Sequence, residues 1–158
     1  MLNLDPEDAL AGPFVSAALH CERLLQETDG TLSLIRIVDR ITVSAPISPG
    51  SVPLSRPIFS LLQGVFILRA GTRSGLAELR MRQVATDGSV TSDITQTITL
   101  GGPGQAFRIF QQLTLIISRP GTMWTELYVD GKLLTRIPLE IVFVQPEHPP
   151  SSVTPAPQ

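Results

Sequence analysis

The chain has 158 residues, which suits one domain with a core that needs neither disulfide nor metal. Charged residues make up only 16% of it, against about 25% in typical soluble domains. Fourteen acidic residues against twelve basic ones leave no excess for a phosphate backbone, so nucleic acid is excluded as the expected partner.

Residues 1–13 form an N-terminal extension with Asp5, Glu7 and Asp8 but no Lys or Arg. A secretory leader needs a basic region followed by an apolar one, so a cytoplasmic location is expected. The single cysteine, Cys21, rules out an internal disulfide and fits a reducing compartment. No apolar run approaches the ~18–20 residues of a transmembrane helix, so no membrane span is predicted. Lys132 is the only lysine among the twelve basic residues, a bias that genome base composition accounts for.

The first predicted strand covers 14–26. Ala17, Ala18, Leu19 and Leu24 also suit a helix, but Gly12-Pro13 before them and Asp29-Gly30 after them favour strand. Asp-Gly is the strongest short hairpin signal, because both central positions of a type I′ turn need positive φ. The second strand is predicted over 31–45. If it pairs with the first across a two-residue turn, His20 stands opposite Asp39. Residues 46–58 contain Pro46, Pro49, Pro53 and Pro57 and read as a connection, the natural candidate for a crossing between two sheets.

Six further strands follow, over 59–70, 75–86, 89–100, 106–118, 122–130 and 132–145. Gly71 to Gly75 between the first two of these reads as a hairpin loop. Asp87-Gly88 and Asp130-Gly131 are two further hairpin signals; Gly101 to Gly104 and Arg119-Pro120-Gly121 mark other strand ends. Period-2 alternation supports the assignment, as in Ile137, Leu139, Ile141 and Phe143 on one face of the last strand. The tail, 146–158, has five prolines and is expected to be disordered. The predicted fold is therefore all-β: an antiparallel two-sheet sandwich of about eight strands spanning 14–145, with Greek-key connections.

Ala18-Leu19-His20-Cys21-Glu22-Arg23, then Asp29 to Ile35, then Gly121 to Lys132 and Ile137-Pro138-Leu139 carry a resemblance. In these segments the chain resembles an uncharacterised bacterial family of small immunoglobulin-like sandwich proteins. The resemblance covers about 14–145 and implies a fold but no activity, and fold does not fix function.

The residues offer no catalytic or metal constellation, and no cofactor is expected. His20 and Cys21 are neighbours, but successive strand residues point to opposite faces, so they do not make a nucleophile and its base. His148 lies in the Pro-rich tail, and the remaining ligand inventory is too thin for zinc or iron. Gly101-Gly102-Pro103-Gly104 sits between strands and lacks the helix N-terminus of a phosphate cradle. Arg69, Arg73, Arg80 and Arg82 read as a solvated face partnered by Glu78, with an anion-binding stripe as the alternative.

The last three predicted strands are apolar on both faces. Phe110 and Ile116, Trp124 and Tyr128, and Val142 and Val144 lie out of phase with the core residues of their strands. An antiparallel sheet covered on one side should be polar on the other. These six residues are the predicted interface, for a protein partner or a homo-oligomer; a bulge that alters the phase, or a terminal segment folded over the face, would account for the same pattern. The expected role is a non-catalytic interaction or structural module. The alternative is a small-molecule or carbohydrate-binding sandwich with its site in the end loops or around Trp124.

Overall fold

The computed structural model describes residues 11–45, 54 and 56–146. Most of the N-terminal extension, most of the proline-rich connection and nearly all of the tail, His148 included, lie outside the described residues.

Nine strands follow one another: β1 (Phe14–Gln26), β2 (Leu32–Ile37), β3 (Arg40–Ser44), β4 (Ile58–Arg69), β5 (Ser74–Val84), β6 (Val90–Gly101), β7 (Ala106–Ile117), β8 (Gly121–Val129) and β9 (Lys132–Val144). They form a four-stranded sheet, β2-β1-β4-β7, and a five-stranded sheet, β3-β9-β8-β5-β6. The all-β two-sheet expectation is met. All strand pairs are antiparallel except β3 with β9, where Arg40 to Ser44 run parallel to Glu140 to Val144.

The second predicted strand is two strands. Arg36 takes positive φ (54°) and Val38-Asp39 leaves the ladder, so the chain passes from one sheet to the other. The proline-rich stretch also joins the two sheets, as expected, because β3 and β4 lie in different ones. The loop from Gly71, expected to close a hairpin, is likewise a crossing, since β4 and β5 lie in different sheets.

The three Asp-Gly pairs make the three hairpins, β1–β2, β5–β6 and β8–β9, but not with one geometry. Only Asp130-Gly131 is a two-residue turn with positive φ at both positions (48° and 76°), directly between the paired Val129 and Lys132. The other two are three-residue loops. In each, the residue before the loop donates to the residue after it (Glu27 N to Thr31 O, 2.8 Å; Ala85 N to Ser89 O, 2.8 Å), and the glycine supplies the left-handed position. Asp29 and Asp87 act as side-chain caps, accepting from the backbone N–H of Thr31 (2.8 Å) and Ser89 (3.0 Å).

The inner faces enclose one hydrophobic core. Leu62, Phe66, Leu68, Leu113 and Ile117 come from the four-stranded sheet; Leu79, Leu100, Leu127, Leu139 and Ile141 come from the five-stranded one. Burying each such side chain contributes about 1.5–3 kcal/mol relative to leaving it in water.

Candidate interaction surface

The outer face of the five-stranded sheet is polar and self-contained. On β8, Trp124, Glu126 and Tyr128 point away from the core, since the alternate residues Met123, Leu127 and Val129 are core. Glu126 is only 5% exposed. Its carboxylate accepts from Arg136 (2.5 Å) and from the Tyr128 hydroxyl (2.7 Å), with Arg82 at 3.9 Å. The guanidinium of Arg136 lies 4.9 Å over the Trp124 ring and that of Arg82 5.8 Å over Tyr128. Burial alone would push the Glu126 carboxyl up, but these donors and charges hold it below its ordinary value. Arg80 grips Asp93 with two hydrogen bonds (2.7 and 2.6 Å), and Arg73 pairs with Asp130. Arg73, Arg80 and Arg82, three of the four arginines expected to share Glu78, thus find other acids.

The outer face of the four-stranded sheet carries the exposed Phe59, Leu61, Phe110 and Ile116 among Gln63, Arg108 and Gln112. The β1–β4 ladder runs from Phe14 with Arg69 to Cys21 with Gln63, and there it ends. Beyond Cys21 the β1–β2 hairpin peels away. Its tip returns to the far side of the sheet, where Arg108 of β7 donates to Gly30 O at 2.9 Å. The hairpin therefore arches over the outer face, which explains why Cys21 and Val65 are fully buried yet stand apart from the core cluster.

Peeling away strips β4 of a neighbour. From Ile58 to Leu62, β4 pairs with β7 on one side and with no described residue on the other. Phe59 and Leu61 are 65% and 59% exposed there, and Ile37 at the end of β2 is 65% exposed. Two hollows, of about 430 and 500 Å³, flank Leu61 and Leu62; Glu22 borders both, with Ile37 on one side and Leu25 on the other. Of the charges beside them, Arg36 pairs with Glu22 (3.3 Å) and Arg40 with Glu140 (2.6 Å), while Arg23 and Asp39 also line the hollows.

The six predicted interface residues do not share a face. β7 lies in one sheet and β8 and β9 in the other, so Phe110 and Ile116 stand on one side of the molecule. Trp124, Tyr128, Val142 and Val144 stand on the opposite side. The expectation treated the last three strands as one sheet; Arg119-Pro120-Gly121 turns out to join β7 of one sheet to β8 of the other. Ile116 is directly paired with Phe59 and so borders the apolar edge. The Trp124 ring carries Arg136 instead of an open platform. Leu61, Ile37 and Leu25 were missed, although Phe59 and Leu61 share a phase opposite to Leu62 and Phe66.

The conditional pairing of His20 with Asp39 does not form. The three-residue loop shifts the register by one, placing Val38 opposite His20, with Val38 N donating to His20 O (2.9 Å). Asp39 is exposed. His20 points into the interior, where Nε2 lies 2.9 Å from Thr125 Oγ1 of β8 and Nδ1 has no partner among the described residues. Burial lowers its pKa to about 4, so the ring is neutral at pH 7. Cys21, the next residue, faces the other way, and burial, foremost, raises its thiol pKa.

These features define a two-sheet, β-sandwich-like protein. The chain belongs to DUF6941, a family of unknown function, whose profile matches residues 16–142. This agrees with the expected uncharacterised family; the immunoglobulin-like part of that expectation has no counterpart in the family description. A comparison with curated proteins returns no match. Among the described residues no helix is long and apolar enough to cross a membrane.

Proposed function

We propose that the chain is a non-catalytic interaction module that docks an extended segment of a protein partner along β4 from Ile58 to Leu62. The observation that carries this is Phe59 and Leu61, both more than half exposed on a half-edge without a ladder partner among the described residues. Edge strands are normally blunted by charge, proline within the strand or a bulge, and Ile58 to Val65 contains no charged residue. An added strand would satisfy backbone groups that lack a ladder partner among the described residues, while the hollow bordered by Leu24, Leu25 and Leu61 takes an apolar side chain. The buried thiol of Cys21 is compatible with a reducing, cytoplasmic setting.

Selection of displayed dodecapeptides on the full chain tests this reading. Enriched sequences should place apolar residues two apart. Leu61→Lys should weaken their binding at least about tenfold, whereas Leu76→Lys, at a 76% exposed leucine of β5, should not. Equal binding by both variants would refute the site. Light scattering on the same proteins identifies a second copy as the occupant if a dimer dissociates in Leu61→Lys alone.

A further inference from the structure

A row of polar residues crosses the interior. In the four-stranded sheet His20, Gly64 and Gln111 are directly paired across β1, β4 and β7. In the five-stranded sheet Thr125, Gln83 and Ser92 are directly paired across β8, β5 and β6. The contact between His20 and Thr125 sets the two rows face to face. Every one of these positions except Gly64 puts a polar group where the strand's phase calls for an apolar one.

The row opens to solvent at one side. β6 and β7 end their respective sheets, and between them lies a cleft of about 230 Å³. Gln83, Ser92 and Gln111 line it together with Met81, Ile94 and Leu113. None of the residues lining the cleft is charged. Gln83 is the informative one: it is 5% exposed, it lines the cleft, and its carboxamide makes no hydrogen bond to any described residue. Its amide atoms are not sealed in the core but face the cleft, where water or a ligand supplies their partners. As end strands, β6 and β7 also have backbone groups without a ladder partner among the described residues, and at the mouth Gln112 O accepts from Gln111 Nε2 (3.1 Å).

We propose that this cleft binds a small uncharged polyol of monosaccharide size. Its volume of about 230 Å³ suits a ligand of monosaccharide size. Carboxamides and hydroxyls match the hydroxyl edge of such a molecule, and Met81, Ile94 and Leu113 match its C–H face. A charged ligand would lose its hydration without gaining a counter-charge. The site is independent of the β4 edge and does not rest on the docking function.

The test titrates the full chain with D-glucose, D-galactose and myo-inositol, following heat and the side-chain amide resonances of Gln83 and Gln111. Glucuronate and glucosamine serve as charged counterparts. At least one neutral probe should saturate, shift both amide signals and bind at least about tenfold more tightly than its charged counterparts. Gln83→Leu, which keeps the volume and removes the hydrogen bonds, should weaken binding by a similar factor. Ser92→Val, at the mouth, supplies the same comparison if Gln83→Leu does not fold. No saturation by any neutral probe up to roughly 50 mM, equal binding of the charged probes, or unchanged affinity in the variants overturns the proposal.

Discussion

Two buried titratable residues contribute to this protein's response to acid, and they act in different ranges. His20 is neutral in the folded protein with a pKa of about 4, against 6.5 for an ordinary histidine. The unfolded chain therefore takes up a proton first. Stability should fall as pH drops from about 6.5 towards 4 and then level off for this group, a loss on the order of 3 kcal/mol. Denaturant titrations at several pH values should show that slope in the wild type and lose it in His20→Gln. Glu126 has a lowered pKa, so its contribution is present above the ordinary carboxyl range and disappears only as pH falls through its own lower value. Glu126→Ala should cost about 2–3 kcal/mol, because it leaves Arg82 and Arg136 stacked on a polar face without their acceptor. Arg136→Ala should cost less, about 1 kcal/mol, since half of that side chain is in water. Urea midpoints of the two variants check the order.

Strand by strand, much was legible, and the misses have physical reasons. The three Asp-Gly pairs identify the three hairpins, and the other breakers, Gly71 to Gly75, Gly101 to Gly104 and Arg119-Pro120-Gly121, are all crossings between sheets. Composition does not separate a tight turn from an arch, so β7 was grouped with β8 and β9. Asp-Gly likewise does not state loop length: one extra residue around Asp29-Gly30 moves Asp39 away from His20. The break at Val38-Asp39 depends on Arg36 at positive φ, a conformation that no residue type there announces. By contrast, His20, Gln83, Gln111 and Thr125 each interrupt an apolar phase, so the interior polar row was written in the alternation. The turn geometry is itself testable. A Cβ at Gly131 or Gly30 meets nothing within 4 Å, so Gly→Ala at either should cost about 1 kcal/mol from backbone strain alone. Gly131→Asn should recover most of that loss in thermal unfolding, because Asn tolerates the left-handed region.

At the level of the whole molecule, most pairings join distant parts of the chain. β1 pairs with β4, β4 with β7 and β3 with β9, so few contacts form before long loops close. Stopped-flow refolding should accordingly fall in the range of about milliseconds to seconds; a microsecond phase with full native signal would contradict it. The two outer faces divide the labour. Stacked guanidinium and aromatic groups close the five-stranded sheet, while the apolar half-edge of β4 leaves the four-stranded one open.

The parallel pairing of β3 with β9 has a consequence for synthesis. Arg40 leaves the ribosome a hundred residues before Glu140, its partner. At about 5–20 residues per second, β3 waits several seconds for the strand that completes its ladder. During that interval Ile41 and Val43, which later pack into the core, lack one of their walls. The nascent chain is then most in need of a holdase, and a stalled chain ending before Lys132 should bind one where the finished chain does not.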